Sequence, residues 1–362
     1  MIRLRRGVVT SVGAARTGAV ELEVDLAGDS ASALAYPELT GPVEIGDWVV
    51  LNTTAVTLGL GTGGVHFVVA VEGRESGHEP VGHVMKARYT PMQTAVRTVE
   101  ESHAEILERS EGLRGIPVVV CPLHSMIGPV AAGAKRAAGA ATRVVYVMTD
   151  GAALPGAFSR LVPALRGAGL LDGWITCGQA FGAELEAVTV WTGLLGAVEV
   201  LEADVIVVGD GPGNLGTETT WGVSALAGGN TLNAASRLGG KPIPALRVSF
   251  ADPRERHRGL SHHSLTILRD VCMVEATVPI PALHDPTQRV AVWDALKESK
   301  LEDRHQLVEV DGRPALEERA ARGVEVTTMG RRVQDDPAFF EAAGAAGVLA
   351  GRMAAESRRW RR

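Results

Sequence analysis

Residues 1–75 carry short β-branched runs, RGVVTSV, AVELEVDL, GDWVVLNTTAVTL and VHFVVAVEG, separated by turn residues at Ala27-Gly28-Asp29, Gly41-Pro42 and Gly63-Gly64. Strands this short at this spacing predict a small barrel or sandwich. Gly61 to Gly64 is followed by another strand-like run and so reads as a hairpin. A polar linker, GRESGHEPVG, follows at 73–82. A helix is then predicted from Thr90 as N-cap, with Pro91 at its first position, Gln93 as capping-box partner, and Ala95, Val99, His103, Ile106 and Leu107 at helical spacing.

From Ile116 the pattern changes. Continuous apolar runs, IPVVVC (116–121), RVVYVMT (143–149), GWITCG (173–178), DVIVVG (204–209) and PALRVSF (244–250), alternate with helical stretches. These stretches are IGPVAAGAKRAAG, AFSRLVPALRGAG, ELEAVTVWTGLLGAVEVLE and a long segment ending at Gly239-Gly240. Beyond Asp285 the order reads helix (VAVWDALKES), strand (HQLVEVD), helix (PALEERAAR), strand (VEVTTM) and a last helix from Pro337. Apolar strands alternating with helices predict a parallel sheet covered on both faces. The expected architecture is α/β: a doubly wound, mostly parallel three-layer sheet domain preceded by a small N-terminal β-barrel-like domain. The expected boundaries are 1–75 for the β domain, 76–115 for linker and connecting helix, 116–355 for the Rossmann-like domain and 356–362 for a basic tail.

Composition narrows the classes. Hydrophobic residues make up 46% of 362 residues and charged residues 22%, which suits a globular chain. A net charge of −6 argues against general nucleic-acid binding. The one basic block is the tail around Trp360, from Arg352 to Arg362, read as a solvated end. Three widely spaced cysteines give neither a disulfide framework nor a zinc pattern and, with no signal peptide, favour the cytoplasm. Apolar runs are all broken well short of a membrane span. A homodimer is the base-rate expectation.

In an open parallel sheet ligands bind at the carboxyl ends of the strands. The predicted strands end in Cys121-Pro122-Leu123-His124-Ser125, in Thr149-Asp150-Gly151, in Cys177-Gly178-Gln179, and in Asp210 with a glycine loop. The fifth ends in FADPRERHRGLSHHS, with Asp252, Arg254, Arg256, His257, Arg258, Ser261, His262 and His263. Cys121 closes a VVVC run and reads as a buried, inert thiol. His124 is a candidate acid–base group, with Ser125 as N-cap and ligand contact. No G-x-S-x-G surrounds Ser125. Asp150 and Asp210 are candidate catalytic carboxylates that would jointly hold a divalent cation, or else cap and turn the chain. His262 and His263 are further candidate acid–base or metal-binding groups; they are adjacent, so at most one is expected to face a given site. No H-x-x-x-H or H-E-x-x-H spacing points to zinc. Gln179 and the arginines are candidate ligand contacts, as is His257.

In the loop, Gly211, Gly213 and Gly216 fit G-x-G-x-x-G, with Asn214 between and Thr217 beyond. The readings left open are a backbone cradle for an anionic ligand and a tight corner. A dinucleotide site is disfavoured: the loop follows the fourth strand, and the next strand-end acid, Asp252, lies too far on for a ribose contact. GDGPGN is similar to the glycine–proline loop of tetrapyrrole methylases that use S-adenosylmethionine, but there the motif opens the chain. Neither NAD nor S-adenosylmethionine is therefore expected.

The strings GDWVVLNTTAVTLGLGTGGVHFVVA, HVMKARYTPMQ, VMTDGAALPGAFS, the glycine loop and LRVSFADPRERHRGLSHHS together resemble a family of uncharacterised bacterial proteins. That family is catalogued as a domain of unknown function, common in actinobacteria and clostridia, and the likeness runs from about Arg5 to Thr328. Glu218 stands where the family's loop carries an inner glycine. The resemblance implies no activity and assigns no catalytic residue. Two functional classes follow. One is a cytoplasmic hydrolase or transferase acting on a small anionic metabolite. The other is a non-catalytic ligand sensor or assembly protein that docks a partner through its N-terminal β domain.

Overall fold

The computed structural model describes residues 1–61, 63–75 and 81–360, the side chains of 359 and 360 aside. The chain divides into two compact units, Met1–Val96 and Arg97–Arg362.

The first unit holds five strands, β1 (Leu4–Arg16), β2 (Ala19–Leu26), β3 (Asp29–Ala35), β4 (Trp48–Asn52) and β5 (His66–Val71), closed into a barrel in the order β1-β2-β3-β5-β4. β1 to β3 form an antiparallel meander and β4 returns beside β1, a Greek key, while β5 closes the ring by pairing parallel to β3. Alternation explains the barrel: along β2, Leu22, Val24 and Leu26 are buried while Glu23 and Asp25 face out. The run read as one strand through Thr57 stops at Asn52, whose side chain accepts from the Thr54 N–H (3.1 Å) and starts a helical turn, Thr54–Thr57.

The helix expected from Thr90 is not formed there. Thr94–Val96 pairs instead with Val84–Lys86 as an antiparallel hairpin. Helix begins only after Thr98, whose N–H donates to Glu101 (2.9 Å), in two short pieces, Val99–Ser102 and Ala104–Glu108. A capping signature was present in both places, and pairing of the β-rich segment decided between them. The centre of the linker, 76–80, lies outside the described residues.

The second unit is built on six parallel strands. In chain order these are Pro117–Cys121, Val144–Thr149, Gly173–Cys177, Leu185–Ala187, Val205–Asp210 and Lys241–Pro244, named here βA to βF, and their spatial order is βD-βC-βB-βE-βA-βF. Successive side chains point to opposite faces. Val118, Val120, Ile206 and Val208 pack with helices Val190–Glu199 and Ala227–Arg237 in one apolar cluster. Val119, Tyr146, Met148 and Val207 pack with helices Ile127–Ala138 and Pro337–Trp360 in another.

Three expectations are corrected. The strand expected at 244–250 lies at Lys241–Pro244 and is the sixth of the sheet. Pro242 and Pro244 disguise it, and an edge strand paired only to βA tolerates them. Val248–Ser249 forms a separate antiparallel pair with Gly259–Leu260. The segment read as one helix from Glu184 contributes an edge strand, βD, before Thr189 caps the helix. VEVTTM forms no strand: Val324 and Val326 pack into the second cluster, and only Thr328 bridges, to Arg331. The tail is helical to Trp360. Within it Arg358 donates to Thr142 Oγ1 (2.6 Å) and lies 3.4 Å from Asp204, whereas Arg352 is exposed; residues 361 and 362 lie outside the described residues.

Glycines set the closest helix contact. A Cβ on Gly347, in Pro337–Trp360, would overlap the Val130 carbonyl of Ile127–Ala138. Gly347→Ala is therefore expected to destabilise the chain by about 1–3 kcal/mol. Gly167→Ala, at a helix end where a Cβ meets nothing within 4 Å, is expected to stabilise by about 0.5 kcal/mol. Urea unfolding of both variants checks the pair, and equal effects would contradict this packing.

Candidate functional site

Strand βE ends in Asp210, which is buried at 6% exposure. Its Oδ1 accepts from Thr149 Oγ1 (2.7 Å) and the Gly151 N–H (3.0 Å), and its Oδ2 from Asn214 Nδ2 (3.0 Å). Thr149 and Gly151 flank Asp150 at the end of the neighbouring strand βB. Gly151 is glycine for a reason, since a Cβ there would crowd both Asp210 oxygens. Burial raises the Asp210 carboxyl above the ordinary 3.8 and the Asp150 charge adds to it, while hydrogen bonds from Thr149, Gly151 and Asn214 pull the other way. Asp150 accepts from the Gln179 N–H (2.8 Å), so Gln179 enters through its backbone. Gly178, with φ +65°, sits between them where a Cβ would overlap Asp150.

His124 lies on the other side of the βE end. Its Nδ1 is 3.1 Å from the Asp210 carbonyl oxygen and its Nε2 2.8 Å from Ser159 Oγ. A carbonyl only accepts, so Nδ1 carries the proton and Nε2 accepts from the serine hydroxyl. Burial pushes the imidazole from 6.5 down to about 4. Tyr146 donates to the carbonyls of Gly209 and Asp210 (3.0 Å each) and is held well above the ordinary tyrosine range by burial. Tyr146 and Ser159 were not singled out from the sequence: one sits inside an apolar strand and the other in a loop read as helix. Ser125 is not an N-cap. It lies within a short 3-10 turn and its hydroxyl donates to Thr328 (3.2 Å). Burial pushes the Cys121 thiol up, in keeping with an inert residue.

The glycine loop does not lead directly into a helix. It folds on itself, with the Thr217 N–H donating to Gly222 (2.8 Å), the Ser224 N–H donating to Leu215 (2.9 Å) and a bridge between Gly216 and Val223; the helix begins at Ala227. Gly211 is confined by Met148 and Ala153, and Gly213 takes φ +95°. Gly216 faces the next group, since a Cβ there would lie 3.9 Å from His263 Cε1.

That group is histidine-rich. Ser261 caps helix His262–Thr266, and its Oγ lies 2.8 Å from His257 Nδ1. Ring centroids of His257, His262 and His263 are 4.0–5.1 Å apart. Both members of the adjacent pair thus face one point, contrary to the expectation of one. In the first turn of a helix neighbours diverge by about 100°, not the 180° of a strand, so two rings can turn to the same side. Burial pushes His257 down to about 3 and His263 to about 4, and lowers His262; Arg247, Arg254 and Arg256 add to this. Asp252 accepts from Arg247 (2.9 Å) and is held by Arg254 through both oxygens. Burial pushes its carboxyl up, but the hydrogen bonds and charges of Arg254 and Arg247 outweigh that and hold it well below the usual range. Arg254 is therefore committed to an internal ion pair. Arg256 stands 3.6 Å from the exposed Glu218, and Arg258 is exposed. Arg331 and Asp336 join this network from far along the chain, where no local signal marked them.

Residues 32–347 match the model of a family described as "Protein of unknown function (DUF3866)", and the chain belongs to that family. No curated protein and no solved structure matches it. No helix among the described residues is long and apolar enough to cross a membrane.

A histidine kept neutral by the fold ties stability to pH. His124 titrates lower in the folded chain than in the unfolded chain, so its contribution is complete above about pH 6.5 and is lost as pH falls toward 4. Allowing for partial exposure, the wild type should lose about 2 kcal/mol more than His124→Gln across that interval. Urea unfolding at both ends of the interval checks this, and parallel losses in the two proteins would refute it.

Proposed function

We propose that this family member is an α/β enzyme of the hydrolase or group-transfer class, acting on a small anionic ligand at the carboxyl ends of its parallel strands. The observation that carries the reading is the Asp210 carboxyl, buried at the end of a central strand and raised by desolvation beside a second carboxylate. A carboxyl whose two protonation states are brought close in energy is suited to general acid–base work. The sheet supports the same place. Helices Ile127–Ala138 and Leu161–Gly167 pack in one cluster and Val190–Glu199 and Ala227–Arg237 in the other, as a doubly wound, three-layer, Rossmann-like arrangement requires. In that arrangement βE leaves toward the opposite face from βA and βB, which opens a crevice at its end.

In this reading Asp210 is the acid–base group and Asp150 the carboxylate that biases it. The His124–Ser159 pair resembles a base and its hydroxyl, but Ser159 is fully buried and also accepts from the Val162 N–H (3.1 Å), so the pair positions the βE end instead. Arg256 and Arg258 are the anion contacts, and the loop from Gly211 to Thr217 is the wall between them and Asp210. A cytoplasmic location and a homodimer belong to the same proposal.

Thermal unfolding of the full chain with inorganic phosphate, nucleotides and sugar phosphates tests the reading. A bound anion at 100 times its Kd stabilises by about 2.7 kcal/mol, and this rise should be lost in Arg256→Gln, which removes an anion contact. Without ligand, Asp210→Asn should melt at or above the wild type, because a desolvated charge is removed and the Asn214 amide can turn to accept. A loss of about 1–3 kcal/mol, the cost of a broken buried acceptor, would mark Asp210 as structural.

A further inference from the structure

We propose that His257, His262 and His263 form a site for one divalent transition ion of the zinc class, with an open position facing Arg256. Ring nitrogens, one from each histidine, lie within 4.8 Å of one another. Two nitrogens on one zinc stand about 3.4 Å apart, from Zn–N distances of 2.0–2.1 Å in tetrahedral geometry. Small rotations about the side-chain bonds close that difference.

A second observation points to a ligand. The Nε2 atoms of His262 and His263 are buried with no hydrogen-bond partner among the described residues. Each such atom costs about 1–3 kcal/mol unless something fills it, and a native chain seldom leaves two side by side. With its proton on Nδ1, each imidazole offers a lone pair at Nε2, which a metal ion can take. His257 has the orienting contact typical of a metal-bound histidine, through Ser261 to its other ring nitrogen.

The arginines do not exclude a cation. Arg247 and Arg254 are paired to Asp252, which Arg331 also approaches at 3.7 Å. Arg256, beside the cluster, has a buried Nε without a hydrogen-bond partner among the described residues. Three neutral ligands leave the ion its full charge, so an anion completes its shell, and Arg256 is placed to hold that anion. Three nitrogens with one open position suit zinc or cobalt better than magnesium or calcium, which favour oxygen.

The test is titration of the metal-stripped full chain with Zn2+ by calorimetry and with Co2+ by visible absorption. One equivalent should bind, and Co2+ should show the intense bands of a four-coordinate nitrogen site. His262→Gln, at the half-buried ligand, and His263→Gln should each weaken Zn2+ at least tenfold, whereas Asp210→Asn should bind as the wild type does. Inorganic phosphate should shift the Co2+ bands in the wild type and not in Arg256→Gln. An octahedral, aqueous-like Co2+ spectrum in the wild type overturns the site without reliance on any variant. So does Zn2+ binding that survives both histidine changes or is lost in Asp210→Asn. Phosphate acting equally on wild type and Arg256→Gln overturns the role of Arg256.

Discussion

Strand βE lies between βA and βB with apolar clusters on both faces, so its side chains from Val205 to Val208 have to be apolar. The first charge it can carry is at its end, and that residue is Asp210. The carboxyl is buried and takes three donors, from Thr149, Gly151 and Asn214, to remain there. Each of these donors fixes something else. Thr149 and Gly151 hold the end of βB, and Asn214 ties down the start of the glycine loop. The carbonyl of Asp210 does the same for His124 and Tyr146. One residue thus sets the positions of two strand ends, a loop and an imidazole.

The two ionisable sets are pushed in opposite directions by the same cause. Desolvation raises the carboxyl of Asp210 and lowers the imidazoles of His124, His257 and His263. Both shifts favour the uncharged form. Asp252 behaves otherwise because it has arginine partners on both oxygens. The region therefore separates a charged, internally paired scaffold from groups whose charged forms burial disfavours. In the functions proposed above, groups of the second kind would exchange protons or lone pairs with a ligand, and the first kind would hold the walls.

Much of this was legible in the sequence where burial leaves a chemical trace. Continuous runs such as VIVVG announced buried parallel strands, and Asp210, Asp150 and His124 followed directly from asking what comes after each run. The failures have physical causes. KPIP hid an edge strand because proline is tolerated where one side of the ladder is unpaired. VEVTTM alternates like a strand but packs its valines into a cluster that helices line, with no ladder beside it. The segment after Thr90 carried helix-start residues, and pairing with Val84–Lys86 overrode them. The three histidines meet across the short strand Gly259–Leu260, which separates His257 from His262 and pairs with Val248–Ser249, a geometry that no fixed spacing rule encodes.

The central claim is that the Asp210 carboxyl is destabilised by its place in the fold. Its titration is most directly measured by NMR of side-chain carboxyl carbons in the full chain, with the Asp210 signal assigned by its disappearance in Asp210→Asn. A midpoint clearly above the ordinary 3.8 is the predicted result. A midpoint at or below that value would mean that the three hydrogen bonds outweigh burial, and the residue would then be a structural acceptor like Asp252.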